Sequence, residues 1–217
     1  MPRLAGFFYL LVFVTGALAV PAGHLVIPGD AAATATNILA HESTFLAGFA
    51  AYVMNVVSYI VVTLLFYNLF RPVSAGISLL AAFFSLVGCA VQAAACLFDL
   101  GAIAALGGDQ YLSVFTKEQL QALALTSLRL HGQGYAVGLI FFGCYCLLIG
   151  YLVFRSTFLP RVIGVLMMIA GVGWLTFLSP SLVHVLGAYA RIPGIIGEGS
   201  LTLWLLVKGA TAGASRT

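Results

Sequence analysis

Charge is what this sequence has least of. Nine Lys and Arg and six Asp and Glu, fifteen charges in all, make up 7% of 217 residues, against 62% hydrophobic residues. A soluble domain carries about a quarter charged residues. Fifteen charges cannot clothe a water-facing surface of this size, so lipid must cover most of the exterior. The basic excess is small, a formal +3, and its residues are scattered singly with no Lys/Arg cluster. That excludes a nucleic-acid partner and leaves membrane orientation as the reading of the charge. Cysteine is also scarce. Cys89, Cys96, Cys144 and Cys146 all lie inside apolar runs and form no C-x-x-C pair. A disulfide framework and a zinc knuckle are both excluded, and small polarizable packing residues are expected instead. No G-x-S-x-G, Walker loop, dinucleotide fingerprint, c-type haem motif or H-E-x-x-H occurs.

Long apolar runs are what the sequence does have. Six of them, 4–20, 45–67, 77–97, 135–154, 162–178 and 194–207, approach the roughly twenty residues that cross hydrocarbon. The last is short and is interrupted by Glu198. Every run must be helical, because strands in lipid would leave backbone groups unpaired. The expected fold is therefore all-α: a single polytopic membrane domain of six transmembrane helices. Met1-Pro2-Arg3 followed by an apolar run and Ala17-Leu18-Ala19 also has the outline of a signal peptide. The seventeen residues Leu4 to Val20 would extend about 25 Å as a helix, which favours a retained first span.

Loop charges then orient the chain. With the N-terminus inside, Arg3, Arg71, Arg155, Arg161, Lys208 and Arg216 fall on the cytoplasmic side, against Lys117, Arg129 and Arg191 outside. That bias fits the positive-inside rule, and places the protein in the cell membrane with both termini cytoplasmic. Asp30, Glu42, Asp109 and Glu118 all lie in outer segments. After Pro28-Gly29, Asp30 is placed to N-cap a short helix over 31–41 that runs into the second span. After Gly107-Gly108, Thr116-Lys117-Glu118-Gln119 reads as a capping box. Gly29-Asp30 leads to a span ending Leu69-Phe70-Arg71, and Gly108-Asp109 to one ending Val153-Phe154-Arg155, a faint tandem repeat.

Several motifs carry a resemblance. Leu130-His131-Gly132, the run Gly138 to Gly143, Gly150-Tyr151-Leu152 and Leu159-Pro160-Arg161 are similar to a family of bacterial integral membrane proteins defined as a domain of unknown function. Pro28-Gly29-Asp30-Ala31-Ala32 with Thr34, and Gly197-Glu198 with the run Leu201 to Gly209, resemble its terminal signatures. The resemblance spans nearly the whole chain and implies a six-helix fold with no established activity. Where members of the family often carry Arg, this chain has Ser85.

Candidate site residues gather toward one end. His24, His41, His131 and His184 fall near outer helix ends, as do Asp30, Glu42, Asp99, Arg129 and Glu198. Asp99 lies twenty-two residues beyond Ile77, about 33 Å along a helix. Glu198 sits five residues past Pro193, about 7–8 Å inward. A carboxyl group in lipid must face the bundle and find a partner, so Glu198 is either a ligand site or an interhelical hydrogen bond. Gly194, Gly197 and Gly199 would let a neighbour come close. His131, with Tyr135 one turn on along the same face and Arg129 beside it, reads as a metal or haem ligand, a general base or an interfacial histidine. Arg129 is expected to pair with Glu198 or Asp99. Ser85, Cys89, Gln92, Cys96 and Asp99 recur at spacings of four, three, four and three, one polar stripe aimed inward. Asn55 and Tyr59, one turn apart on the second span, are expected to face it.

The leading reading is a membrane protein that binds a small ligand, a metal or a lipid headgroup in an outer-leaflet pocket lined by Glu198, His131, Gln92, Asp99, Tyr135, Arg129 and Asn55. An intramembrane enzyme using Glu198 or His131, a transporter, and an accessory subunit or homo-oligomer in a larger membrane complex remain as alternatives. A transport route needs polar contacts through the inner half, where the second span offers only Asn55, Ser58 and Thr63. No cofactor can be assigned from sequence.

Overall fold

The computed structural model describes residues 2–209; Arg216, counted above with the cytoplasmic charges, lies outside them. Within them the regular structure is α-helix joined by short 3-10 turns. In chain order the helices are α1 (Pro2–Gly23), α2 (Ala31–Ala40), α3 (Glu42–Phe70), α4 (Ala75–Leu106), α5 (Lys117–Arg155), α6 (Arg161–Leu175), α7 (Pro180–Leu186) and α8 (Ile192–Val207). The 3-10 turns cover Gln110–Val114, Thr176–Leu178 and Gly187–Arg191. Five helices are long and apolar enough to cross a membrane: α1, α3, α4, α5, and α6 with its 3-10 extension to Leu178. The run expected as the sixth span forms α8, whose 16 residues reach only about 24 Å, under the roughly 30 Å of hydrocarbon.

The helices overrun the apolar runs that marked them. Expected over 77–97, α4 extends to Leu106 and has 32 residues; α5 fuses the helix begun at Thr116 with the span 135–154 into 39 residues. At 1.5 Å per residue α5 is about 58 Å long, so it must project well beyond the hydrocarbon. Starts and stops follow the local chemistry. Gly29 takes φ +84, a turn only glycine makes without strain, and Asp30 then accepts a hydrogen bond from the Ala33 amide at 2.8 Å. The capping box is reciprocal: the Thr116 amide donates to Gln119 Oε1 at 2.8 Å, and the Gln119 amide to Thr116 Oγ1 at 3.3 Å. The repeat is only partial here. Gly108 also has positive φ, but Asp109 makes no side-chain cap.

The residues form two compact units. One comprises the chain up to Val12, Val57–Ala90 and the chain from Ala136 onward; the other comprises Phe13–Val56 and Val91–Tyr135. Helices α1, α3, α4 and α5 each contribute to both. In the first unit, glycines set the packing of α5 against α6. A Cβ on Gly150 would lie 2.7 Å from the Gly164 carbonyl oxygen, and one on Gly164 would lie 2.7 Å from that of Gly150. One turn pair further, Gly143 and Gly171 face each other the same way, at 3.0 and 2.8 Å. Two glycines seven residues apart on each antiparallel helix therefore let the backbones touch. In the second unit, Ile38 of α2 and Phe45 of α3 pack with Ala102, Ala105, Ala124 and Leu128 of α4 and α5 into a buried core. Thr34 ties the α1–α2 connection to this unit by exchanging hydrogen bonds with the backbone of Ile27, at 2.9 and 3.2 Å.

Candidate functional site

Small residues bring Glu198 to its partners. On α8, Gly194 lies under the ring of Trp174, and Gly197 faces the Leu166 carbonyl and Ala170 of α6. On α1, a Cβ at Gly6 would lie 2.8 Å from the Leu206 amide nitrogen, so α1 and α8 also run in backbone contact. Tyr9, three residues after Gly6, shares that face of α1. The consequence is a carboxylate surrounded by donors. Tyr9 Oη donates to Glu198 Oε2 at 2.6 Å, and Tyr59 Oη donates to the same oxygen at 2.7 Å. Trp174 Nε1 donates to Oε1 at 2.6 Å, and the Cys146 thiol lies 3.8 Å from that atom. The two phenol oxygens are 3.3 Å apart.

All of these residues belong to the first unit and are buried, Glu198 with 6% of its surface exposed. An indole can only donate, so Trp174 needs an acceptor wherever it is buried. Glu198 supplies it, and joins α1, α3, α5, α6 and α8 through one side chain. The hydrogen bonds therefore carry out the interhelical role that the sequence left as one of two readings. Tyr145, 1% exposed, stacks edge-on against Tyr59 at 6.0 Å between ring centroids, and its hydroxyl has no hydrogen-bond partner among the described residues.

The stripe on α4 is as expected: Ser85, Cys89, Gln92, Cys96 and Asp99 are all buried. Its α3 partner differs from the expected pair. Thr63 Oγ1 sits 2.6 Å from Ser85 Oγ and also donates to the Tyr59 carbonyl at 2.8 Å. Tyr59 turns to Glu198, and Asn55 Nδ2 donates to Thr15 Oγ1 of α1 at 3.1 Å. One helical turn separates Asn55 from Tyr59, but the bonds each makes run to different helices.

A second polar cluster lies in the second unit. His131 Nδ1 is 3.0 Å from Asp99 Oδ2, with the two side chains 20% and 12% exposed. The contact lacks the alignment of a hydrogen bond. The Tyr52 ring packs edge-on against the imidazole at 5.1 Å and against Tyr135 at 5.9 Å. Gln92, 4% exposed, accepts the Cys96 thiol on its backbone carbonyl at 3.4 Å. Arg129 is not a partner of this pair. It is exposed and makes no ion pair among the described residues; the helix turns its side chain away, and Asp99 takes His131 instead. His24, His41 and His184 are exposed, and no three His, Cys, Asp or Glu side chains gather as metal ligands among the described residues.

Of the expected site residues, then, the structure brings Asp99, His131 and Tyr135 together through Tyr52, and gives Glu198 partners that the sequence did not name. Tyr9, Trp174 and Cys146 were missed for Glu198, and Tyr52 for His131. The one available signal was that buried Tyr and Trp need polar partners in lipid.

The family model described as Domain of unknown function (DUF4386) matches residues 4–209. The chain belongs to this family. The matched residues include both terminal segments, 28–34 and 197–209. A protein of Archaeoglobus fulgidus, described only as uncharacterized, is 29% identical over 156 residues, covering 69% of this chain and 76% of its own. No solved structure matches.

Proposed function

We propose that this DUF4386 protein is a multi-pass membrane protein that binds a small polar ligand or a lipid headgroup at the Asp99–His131 pair, in the outer half of the bilayer. The observation that carries the reading is the pair itself: a buried carboxyl and a half-buried imidazole 3.0 Å apart, not aligned as a hydrogen bond. Ionisable groups are costly in a membrane protein and mark function unless the protein satisfies them. Glu198 is satisfied by three donors; this pair retains lone pairs and an imidazole edge for an incoming group. A ligand offering both a donor and an acceptor would engage both side chains. Tyr52 and Tyr135 would supply the apolar wall, and Gln92, about two turns before Asp99 on α4, a further polar contact. A metal would need ligands beyond this pair.

The placement follows from the loop charges. Five crossings are supported by length, and α8 makes a sixth if its 16 residues sit in locally thinned lipid beside α6. Both termini are then cytoplasmic, and Asp99 and His131 lie toward the outer face. The test is native mass spectrometry of the protein purified in mild detergent. A co-purifying adduct should be retained by the wild type and lost from His131→Gln and Asp99→Asn, with unchanged helicity. An adduct kept equally by both variants, or none in the wild type, removes the proposal.

A further inference from the structure

The chain between α6 and α8 carries a pattern that neither the Glu198 network nor the Asp99–His131 pair uses. Leu178, Leu182, Val185, Tyr189 and Ile192 recur at spacings of four, three, four and three, the repeat of one helical face, interrupted by extended backbone at Ser179 between the first two. The segment is helical in short pieces, the 3-10 turn to Leu178, α7 and the 3-10 turn Gly187–Arg191, and every residue of the stripe is exposed, Val185 at 80% and Tyr189 at 74%. Two other faces complete it. Val183, Leu186 and Ala190 are turned inward, Ala190 to 3% exposure. Ser181, His184 and Arg191 form an exposed polar face. From Thr176 to Gly197 there is one charged residue, Arg191, and no acid.

We propose that Leu178–Ile192 lies in the plane of the membrane, with its apolar stripe in the acyl chains and Arg191 on the phosphate of an anionic phospholipid. Two observations select lipid as the occupant. The stripe continues the exposed apolar rows of both neighbours, Val165, Ile169 and Val172 on α6 and Ile195, Ile196 and Leu203 on α8, and these are the faces an apolar helix turns to lipid. The polar face carries one cation, Arg191, and no acid, the complement of a phosphate and not of another copy of itself. An amphipathic segment with a large ring near one end and a cation on its wet side is the form that settles at the headgroup boundary. Arg191 can reach the phosphate while its stem stays in apolar surroundings.

The experiment places an indole on each face of the full-length protein, by Tyr189→Trp and, separately, Ser181→Trp, reconstituted in phosphatidylcholine vesicles with and without phosphatidylglycerol. The emission each variant adds to that of Trp174 and Trp204 is read with brominated phospholipids and with aqueous iodide. The stripe position should be quenched severalfold more by bromolipid than the polar position, and iodide should reverse the order. In competition between brominated phosphatidylglycerol and brominated phosphatidylcholine, the added indole should prefer the anionic lipid, and Arg191→Gln in the Tyr189→Trp background should abolish that preference. Iodide quenching of the stripe position would place the segment in water. Protection of that position from both quenchers would mean that protein, a second copy or a partner, covers it. Either outcome, or an unchanged lipid preference in Arg191→Gln, overturns the proposal.

Discussion

Replacing Glu198 by Ala is the sharpest perturbation of the first unit. The side chain accepts from Tyr9, Tyr59 and Trp174 at 2.6 to 2.7 Å in a site 6% exposed. Truncation removes the shared acceptor of three buried donors; Trp174 is left with none, while Tyr9 and Tyr59, 3.3 Å apart, can still bond each other. In water-soluble proteins each orphaned donor costs about 1–3 kcal/mol, whereas interhelical hydrogen bonds in membranes average about 0.6 kcal/mol because the unfolded chain also finds partners. Weighting the membrane value for three bonds, and the higher one for short bonds to a single buried carboxyl, gives a loss of about 2–4 kcal/mol. For a chain of this length that corresponds to a fall in melting temperature on the order of 5–15 °C. Glu198→Gln should cost less than about 1 kcal/mol. Its amide oxygen can still accept from Trp174, its NH2 can donate to one phenol, and Tyr9 and Tyr59, 3.3 Å apart, can bond each other. Thermal unfolding in detergent, followed by tryptophan emission, reads both variants. An Ala variant that melts with the wild type, or a Gln variant that melts as low as Ala, would refute the network as the source of stability.

Three further perturbations separate close backbone contact from local propensity and from capping. Gly150→Ala should lower the melting temperature, at a cost of about 1–3 kcal/mol, because its Cβ meets the Gly164 carbonyl and Met168 within 2.7 Å. Gly132→Ala, on the same helix with nothing within 4 Å of its Cβ, should instead stabilise by about 0.4–1 kcal/mol; the same melting assay compares the two. Asp30→Ala should cost about 0.5–2 kcal/mol and speed hydrogen exchange at the Ala33 amide, which Asp30 now caps, while leaving exchange within α5 unchanged.

Helices and their ends were legible because they depend on neighbours in sequence. Apolar runs, the Gly29-Asp30 turn and the Thr116–Gln119 box act within a few residues, and each was found where the pattern put it. The α4 stripe was legible for the same reason: a repeat of four and three defines one face whatever that face meets. Partners across the bundle were not legible. Tyr9 meets Glu198 across 189 residues of sequence separation; its hydroxyl calls for a polar partner, but nothing local says which one. Arg129 was expected to pair with Glu198 or Asp99, but it is exposed and Asp99 meets His131 instead. One signal was readable and passed over. Gly143 and Gly150, and Gly164 and Gly171, repeat at seven on adjacent helices, the spacing that lets two backbones meet. The last turns of α4, beyond Asp99, were hidden, because Ala102 and Ala105 are held by a protein core rather than by lipid.

The central functional claim is that the Asp99–His131 pair, unlike Glu198, is held open for a ligand. Its most direct test is the mass of the natively released protein compared between the wild type and His131→Gln. The account predicts a bound species on the wild type that disappears from the variant while its melting temperature stays the same. A bound species that survives His131→Gln, or that disappears only because the variant unfolds, would contradict it.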